Sequence, residues 1–387
     1  MAEIVQVPDG VSAVPRPDFR LIYGQNDITS DLVPYVTSVT YTDHLSGESD
    51  EIEVDLEDTD GRWIDPWYPG KGDTLTLSIG YAGERLLHCG QFEIDEIETA
   101  DPPSTVSLRA LGSWPGKPMR TRQSMGFEKT TLANIAGHVA KRNGLILTGK
   151  IRGIPIDRAT QYGESDVVFL SRLAGEYGYA FKVSGNRLIF TEIAAILAME
   201  PMVYFQPSYM ISVRITDKIN MVYKDAKVKY HDPGTKKLVT YGVQADGQVG
   251  AVGKSTSSDT LKTSARATDK GTAQVKAEAG LKKANLEKTT GTITVPGHPI
   301  LVSGLMIGIE EFGKLSGKYL VKTARHRIDR FSGYTTELEV ARESNVPRVQ
   351  AGTASTAAKK SSGPGKLKVY GVQDGKVAVV GTSAVKK

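Results

Sequence analysis

Residues 74–112 read TLTLSIGYAGERLLHCGQFEIDEIETADPPSTVSLRALG. In TLTLSIGY, HCGQFEIDEIE and TVSLRALG apolar and polar residues alternate, which puts the apolar ones on a single face of a pleated strand. Gly, Pro and Asp clusters separate the runs, as turns between antiparallel strands require. Toward the N-terminus the same grammar recurs in FRLIYG from Phe19, VTSVTYTD from Val36 and DEIEVDLED from Asp50. Six segments within roughly ninety residues are enough to close a small barrel or build a sandwich. The aromatic connection RWIDPWYPGKGD, residues 62–73, interrupts them, and its prolines exclude continuous strand.

Beyond residue 111 the period changes. In TTLANIAGHVAKRNG, residues 130–144, Leu132, Ile135, Ala136 and Val139 share a helical face between a Thr start and Gly144. SDVVFLSRLAGEYG, residues 165–178, predicts a second helix, with Ser165 as cap and Phe169, Leu170, Leu173, Ala174 and Tyr177 as its apolar stripe. Gly178 ends it. YAFKVSGNRLIFTE follows as a hairpin, so residues 111–205 read as an α+β insertion. Strand grammar returns over 206–245 and again over 291–342, which predicts a second, discontinuous β unit. Between them, 246–290 reads as a helical insertion, where Ala273, Ala277, Leu281 and Ala284 form a narrow face expected to lie against another chain or domain. Residues 1–17 form a polar arm and 343–365 a low-complexity linker. The tail, 366–387, repeats an earlier pattern: KLVTYGVQADGQVGAVGKS at 237–255 echoes KLKVYGVQDGKVAVVGTS at 366–383. Each copy reads as strand, Asp-Gly turn and strand, suited to docking beside its twin by edge pairing.

Forty glycines and eighteen prolines among 387 residues favour this turn-rich β reading over a helical bundle. No apolar run is long enough to span a membrane, and MAEIVQVPDG lacks the basic and apolar regions of a signal peptide, so neither spanning nor classical export is expected. The net charge of +4 hides a polarity. Residues 1–110 hold 22 Asp and Glu against 6 Lys and Arg, a balance of −16, which leaves +20 for the rest. An acidic surface in one part and a basic one elsewhere are therefore expected.

Motifs of catalysis are missing. There is no HExxH, EF-hand loop or paired CxxC, and GKGDTLTL lacks the spacing of a phosphate loop. His88 and the single cysteine, Cys89, adjoin on one strand and so project to opposite faces, which argues against a shared metal. His298 in VPGHP has no evident carboxylate or Ser partner, and His326 in ARHRID is expected to face solvent or a subunit contact. Glycoside hydrolysis needs two carboxylates across a cleft. Glu93, Asp95, Glu96 and Glu98 on one strand, and Glu48, Asp50, Glu51, Glu53 and Asp55 on or beside another, read instead as a solvated sheet face. From residue 351 seven lysines face only Asp374, a balance of +6 that suits an acidic protein surface better than a base-stacking platform. No catalytic, cofactor or metal residues are assigned.

Three stretches resemble the phage late control D and baseplate hub proteins of contractile tails and phage-tail-like bacteriocins, and the hub portion of type VI secretion spike proteins. They are DLEDTDGRWIDPWYPGKGDTLTLSIGY from Asp55, QYGESDVVFLSRLAGEYGYAFKVSGNRLIF from Gln161, and GHPILVSGLMIGIEEFGKLSGKYLVKTARHRIDRFSGYTTELEV from Gly297. The resemblance covers about residues 19–342. It implies a mainly β fold, with two small β-barrels of the tail hub type, the first over 18–110 and the second discontinuous, joined by the α+β insertion. It implies a homotrimer that adapts a sixfold tail tube to a threefold central spike in a virion or phage-like particle baseplate, assembled in the host cytoplasm. The implied partners are the spike protein, the first tube ring and baseplate wedge proteins, with DNA passing through the lumen unbound. Structural roles follow for Trp63, Pro66, Trp67, Tyr68 and Pro69, which order the connection between strands, and for Gly72 and Gly80 at close backbone approaches. Asp166 caps or buttresses the second helix, Arg172 carries a salt bridge, Leu170, Leu173 and Tyr177 bury its face, and Gly178 stops it. As departures from the family, no lysozyme-like region is fused here and no long glycine-valine-rich spike repeat follows residue 342, so a hub that recruits a separate spike is expected rather than a complete type VI spike protein. A hub or distal-tail protein of a noncontractile phage, a tail-associated cell-wall hydrolase and a DNA-binding tail component are the competing readings.

Overall fold

A computed structural model describes residues 3–4, 15–112, 119, 121–218, 223, 225–232, 237–244, 260–263, 270–342, 367–373 and 376–383. Most of the expected arm, all of the expected linker and the second half of the first repeat copy lie outside them. By its contacts the chain forms two units, residues 1–349 and 350–387.

In the first unit β1 (Glu3–Ile4) precedes a run of strands: β2 (Pro17–Tyr23), β3 (Asn26–Asp27), β4 (Val36–His44), β5 (Glu51–Glu57), β6 (Thr74–Tyr81), β7 (Leu87–Ala100) and β8 (Thr105–Gly112), with a one-turn helix α1 (Thr29–Leu32) after β3. Along β5 and β6 buried and more exposed residues alternate, as the sequence pattern requires. The inward residues, among them Leu21, Ile52, Val54, Leu56, Leu75, Leu77, Phe92 and Leu108, make one core.

The next elements are β9 (Arg122–Thr131), α2 (Leu132–Arg142), β10 (Ile146–Thr148), β11 (Pro155–Ser165), α3 (Asp166–Tyr177), β12 (Tyr179–Ser184), β13 (Arg187–Glu192) and α4 (Ile193–Leu197). β9 pairs with β11, and β10, β13 and β12 form a three-stranded sheet. The apolar faces of α2 and α3 close on these strands in a second core, with Leu132, Ile135, Phe169, Leu170 and Phe190 fully buried. Thr131 caps α2 by accepting from the Asn134 N–H at 3.2 Å.

β14 (Val203–Phe205), β15 (Ser212–Asp217), β19 (Thr289–Pro296), β20 (Met306–Ile309), β21 (Gly317–Asp329) and β22 (Gly333–Arg342) build a third core around Phe205, Ile293, Val295, Ile307, Tyr319, Val321 and Leu338. Their order is β14-β20-β21-β22-β19-β15. The thirteen-residue β21 bends this half into the first: its beginning pairs with β20, while Thr323–Asp329 pairs with β4 from His44 back to Ser38. The two β halves are therefore one fourteen-stranded sheet with two cores. Long edge strands invite foreign pairing, and continuity across β4 and β21 removes an edge from each half.

The expected extent of the second β unit, 206–245 and 291–342, needs correction. β16 (Asp225–Asp232) and β17 (Lys237–Gln244) stand apart from the long sheet and form their own with β18 (Thr260–Thr263), in the order β17-β16-β18. Helix α5 (Lys270–Leu286) explains the split, because its small-residue face needs a cover. Ala273, Ala277 and Leu281 pack on Ala226, Val228 and Val243. The cover thus comes from strands of the same chain, and Ala284 is only half-buried. β14, placed by sequence within the α+β stretch, joins the long sheet instead.

In the second unit β23 (Leu367–Gln373) pairs antiparallel with β24 (Lys376–Ser383). The earlier copy of this repeat uses its first strand differently, since β17 pairs with the preceding β16. No helix among the described residues is long and apolar enough to cross a membrane.

Candidate functional site

The residues singled out by sequence fall into two places rather than one. The first is the β5–β6 connection. Trp63 is buried there and meets Tyr35 and Trp67 edge-on, with ring centroids 6.1 and 5.3 Å away. Pro69 is buried, whereas Pro66, Trp67 and Tyr68 are exposed. Gly72 has φ +89°, where only glycine sits without strain, and its N–H donates to the Ile94 carbonyl at 2.8 Å. At Gly80 an added Cβ would lie 3.0 Å from Leu86 Cδ2, so the glycine permits close approach and not an unusual dihedral.

The second place is α3. Ser165 is the cap, accepting from the Val168 N–H at 3.4 Å. Asp166 is fully buried and buttresses the helix: its carboxylate accepts from Asn143 Nδ2 and Gln161 Nε2, each at 2.8 Å, and is paired with Arg142. A buried carboxylate at a helix start is favoured by the helix dipole and by these donors. Arg172 bridges Glu164 at 2.6 Å and Glu176 at 3.2 Å on the surface. Leu170, Leu173 and Tyr177 are buried, and Gly178 takes the left-handed conformation at φ +78° that ends the helix.

A third place is a junction that sequence reasoning missed. Lys182 of β12 reaches out of the α+β sheet to Asp43 of β4 and, at 2.8 Å, to Asp50. All three are nearly buried. Asp43 also accepts the Ser303 N–H at 2.7 Å, from the second β half, and Asp50 accepts the His44 N–H at 3.0 Å. One ammonium thus ties three parts of the chain. Burial pushes the Asp50 carboxyl up to about 6 against the pull of Lys182. Burial also works against the Lys182 ammonium, but Asp43 and Asp50 together outweigh it and hold its pKa above the usual range. The neighbouring Asp43 charge adds to the rise at Asp50, and the two carboxylates together raise Lys182.

His326, expected at a surface, is fully buried where β21 crosses to β4. Its Nε2 lies 2.7 Å from the Leu301 carbonyl, which only accepts, so Nε2–H donates and Nδ1 accepts from the Tyr334 hydroxyl at 2.9 Å. The ring stacks on Tyr41 at 6.0 Å. Burial lowers its pKa to about 4, and the imidazole is neutral at ordinary pH. Gly297 closes over Tyr334 so tightly that a Cβ would fall 2.1 Å from the ring. Alternation in ARHRID carried a usable signal, for His326 shares its face with Ala324 and Ile328, both buried. Lys182, Asp43 and Asp50 carried none, since each sits in an ordinary alternating strand or loop.

The acidic strands lie where cross-strand neighbours balance them. Arg327, Thr40, Glu53, Arg109 and Glu96 stand in register across β21, β4, β5, β8 and β7. Arg109 binds Glu51 at 2.6 Å and approaches Glu96 at 3.9 Å. This face lines a groove of about 360 Å³, in which Arg109, Arg325 and Arg327 stand among Glu51, Glu53, Glu96 and Glu98. Cys89 is buried and burial pushes its thiol up, while His88 on the opposite face is exposed. No cluster of three potential metal ligands occurs among the described residues.

Comparison with known proteins gives the geometry a family. The family model for the phage tail baseplate hub (GPD) matches residues 104–331. The probable baseplate hub protein of Escherichia phage 186 is 33% identical over 183 residues, 47% of this chain and 46% of that protein. That of Escherichia phage P2 is 33% identical over 176 residues, 45% of each. The chain spans about half the length of the curated relatives it matches. Among solved structures, the 43 kDa tail protein of prophage MuSo2 from Shewanella oneidensis superposes with a TM-score of 0.63 at 16% identity, covering 84% of this chain and 98% of that one. A type VI secretion component of E. coli, described as similar to T4 bacteriophage tail proteins, gives 0.51 at 13%, covering 80% and 74%. At such identities the likeness is one of fold. The matched stretch runs from β8 to the end of β21 and contains α3, Lys182 and His326, and on that match the chain belongs to the phage tail baseplate hub (GPD) family.

Proposed function

We propose that the protein is the baseplate hub of a contractile phage or phage-like tail, working as a homotrimer that joins a sixfold tube to a threefold spike. The observation that carries this reading is the doubled β architecture: two seven-stranded halves, each with its own core, joined into one sheet through β4 and β21. Each half acts as a barrel-like unit, so three copies present six units in a ring. Sixfold contacts are then met by a threefold assembly without any sixfold copy number. The rigid link matters, because a symmetry adapter transmits position only if its two halves cannot drift.

On this reading the central spike, the first tube ring and wedge proteins are the partners, and the tail baseplate is the location. The exposed face of alternating Glu and Arg suits a surface that meets charged partners without holding DNA. The role is architectural: the buried junctions of Lys182 and His326 hold geometry and perform no chemistry.

The test is the solution mass of the purified protein, alone and mixed with the spike protein of the same particle. A trimer, or a monomer driven by the spike into a three-to-three complex, is the expected result. A monomer indifferent to the spike overturns the adapter reading.

A further inference from the structure

At the end of the first β half an apolar groove of about 320 Å³ lies open to solvent. Trp63, Trp67, Tyr68 and Pro69 of the β5–β6 connection form one wall, and Ile28 before α1 and Asp31 within it contribute to the other. Trp67 and Tyr68 are 43% and 49% exposed, and Ile64 next to them is 59% exposed. A groove of this size accommodates one or two large side chains. Exposed aromatic clusters bordered by polar residues mark binding surfaces, and Trp and Tyr are the side chains that most often anchor them.

Two further observations define what fits. The indole N–H of Trp63 is buried and has no hydrogen-bond acceptor among the described residues. A buried donor left unpaired is costly, and a carbonyl from an incoming chain would satisfy it. The rim carries negative charge: Asp31 lines the groove, and Asp65 stands in the connection between Trp63 and Trp67. Arg62 is already engaged, donating to Asp60 at 2.8 Å and lying over the rings of Tyr35 and Trp67 at 4.6 and 4.8 Å. Asp31 and Asp65 are exposed and make no ion pair among the described residues.

We propose that this groove is a docking site for a protein segment that inserts a large apolar side chain between Trp67 and Tyr68 and flanks it with Lys or Arg facing Asp31 and Asp65. The apolar side chain supplies the buried area, a backbone carbonyl of the segment meets Trp63, and the cations set orientation and rate of encounter. The groove shares no lining residue with the one on the charged sheet face.

The test uses the full chain and fluorescein-labelled Lys-Lys-Leu-Phe-Lys-Lys, with Glu-Glu-Leu-Phe-Glu-Glu as control, read by fluorescence polarisation at low salt. Saturable binding of the basic peptide is expected, with the acidic one roughly tenfold or more weaker. Trp67→Ala and, separately, Tyr68→Ala weaken it about tenfold. The double variant Asp31→Asn with Asp65→Asn weakens it about threefold and flattens its salt dependence. Near-UV circular dichroism and the melting midpoint verify that each variant is folded. Equal affinity for both peptides, no saturation by about 1 mM, or both aromatic variants within about twofold of wild type would each overturn the proposal. So would a change in solution mass on Trp67→Ala, which would give the groove to a second copy of this chain. Mass is read independently of peptide binding, so failure here leaves the hub reading standing.

Discussion

His326 shows how much one residue's surroundings decide. As neutral imidazole it satisfies Leu301 and Tyr334 inside the crossover of the two β halves, and protonation there would place an uncompensated charge among apolar rings. Its folded pKa of about 4 lies below the usual 6.5, so the unfolded chain binds the extra proton more readily. The contribution of His326 to stability is therefore full above about pH 6.5 and falls as pH drops toward 4, by about 3 kcal/mol in all. Asp50, raised to about 6, acts in the opposite sense between its usual 3.8 and 6. The two are separated by comparing urea unfolding of wild type and His326→Gln from pH 4 to pH 7. The difference between the two curves should shrink as pH falls, and a difference constant with pH would refute the buried neutral histidine. From sequence His326 was expected to face solvent or a subunit contact; its alternation with Ala324 and Ile328 put it on their face, but the pattern did not tell that β4 would pair beside it and that Tyr41 would cover it.

At the scale of elements, helices α2 and α3 were legible because everything that defines them is local. Thr131 and Ser165 cap them, apolar residues recur at helical spacing, and Gly178 supplies the left-handed stop. Gly178→Ala is expected to cost about 1–2 kcal/mol in urea unfolding, since alanine disfavours positive φ. Its methyl would also press on Ala279 Cβ of α5 at 3.1 Å. An unchanged midpoint would show that the helix end relaxes freely. Asp166 was identified with the right helix, but its partners were not, as Arg142, Asn143 and Gln161 come from α2 and β11. The strands 225–244 were recognised as strands and assigned to the wrong sheet. Alternation reports that a strand has one apolar face and says nothing about which core receives it. Only the Ala face of α5, which needed a neighbour of its own, distinguishes the two assignments.

Across the whole molecule, Lys182 is the strongest candidate for a part that makes three cores behave as one body. Lys182→Met leaves Asp43 and Asp50 buried together without a cation, and is expected to lose about 3–5 kcal/mol and to separate unfolding of the α+β part from that of the long sheet. Hydrogen exchange read over β12 and over β22 should coincide in wild type and diverge in the variant. Coincidence in both would show that the apolar contacts alone couple the parts. Adding Asp43→Asn and Asp50→Asn should restore much of the loss, because the uncompensated charges go with them. By itself the sequence determined the strands, the two main helices, their caps and stops, and the kinship of the stretch around α3, since each is written in residues close together along the chain. The tertiary structure alone decided that two β halves share one sheet, that β16 and β17 leave it to cover α5, and that Lys182, Asp43, Asp50 and Ser303 meet. Those outcomes depend on which apolar faces bury one another and which charges are stranded between them, and both are set by contacts between residues far apart in the chain.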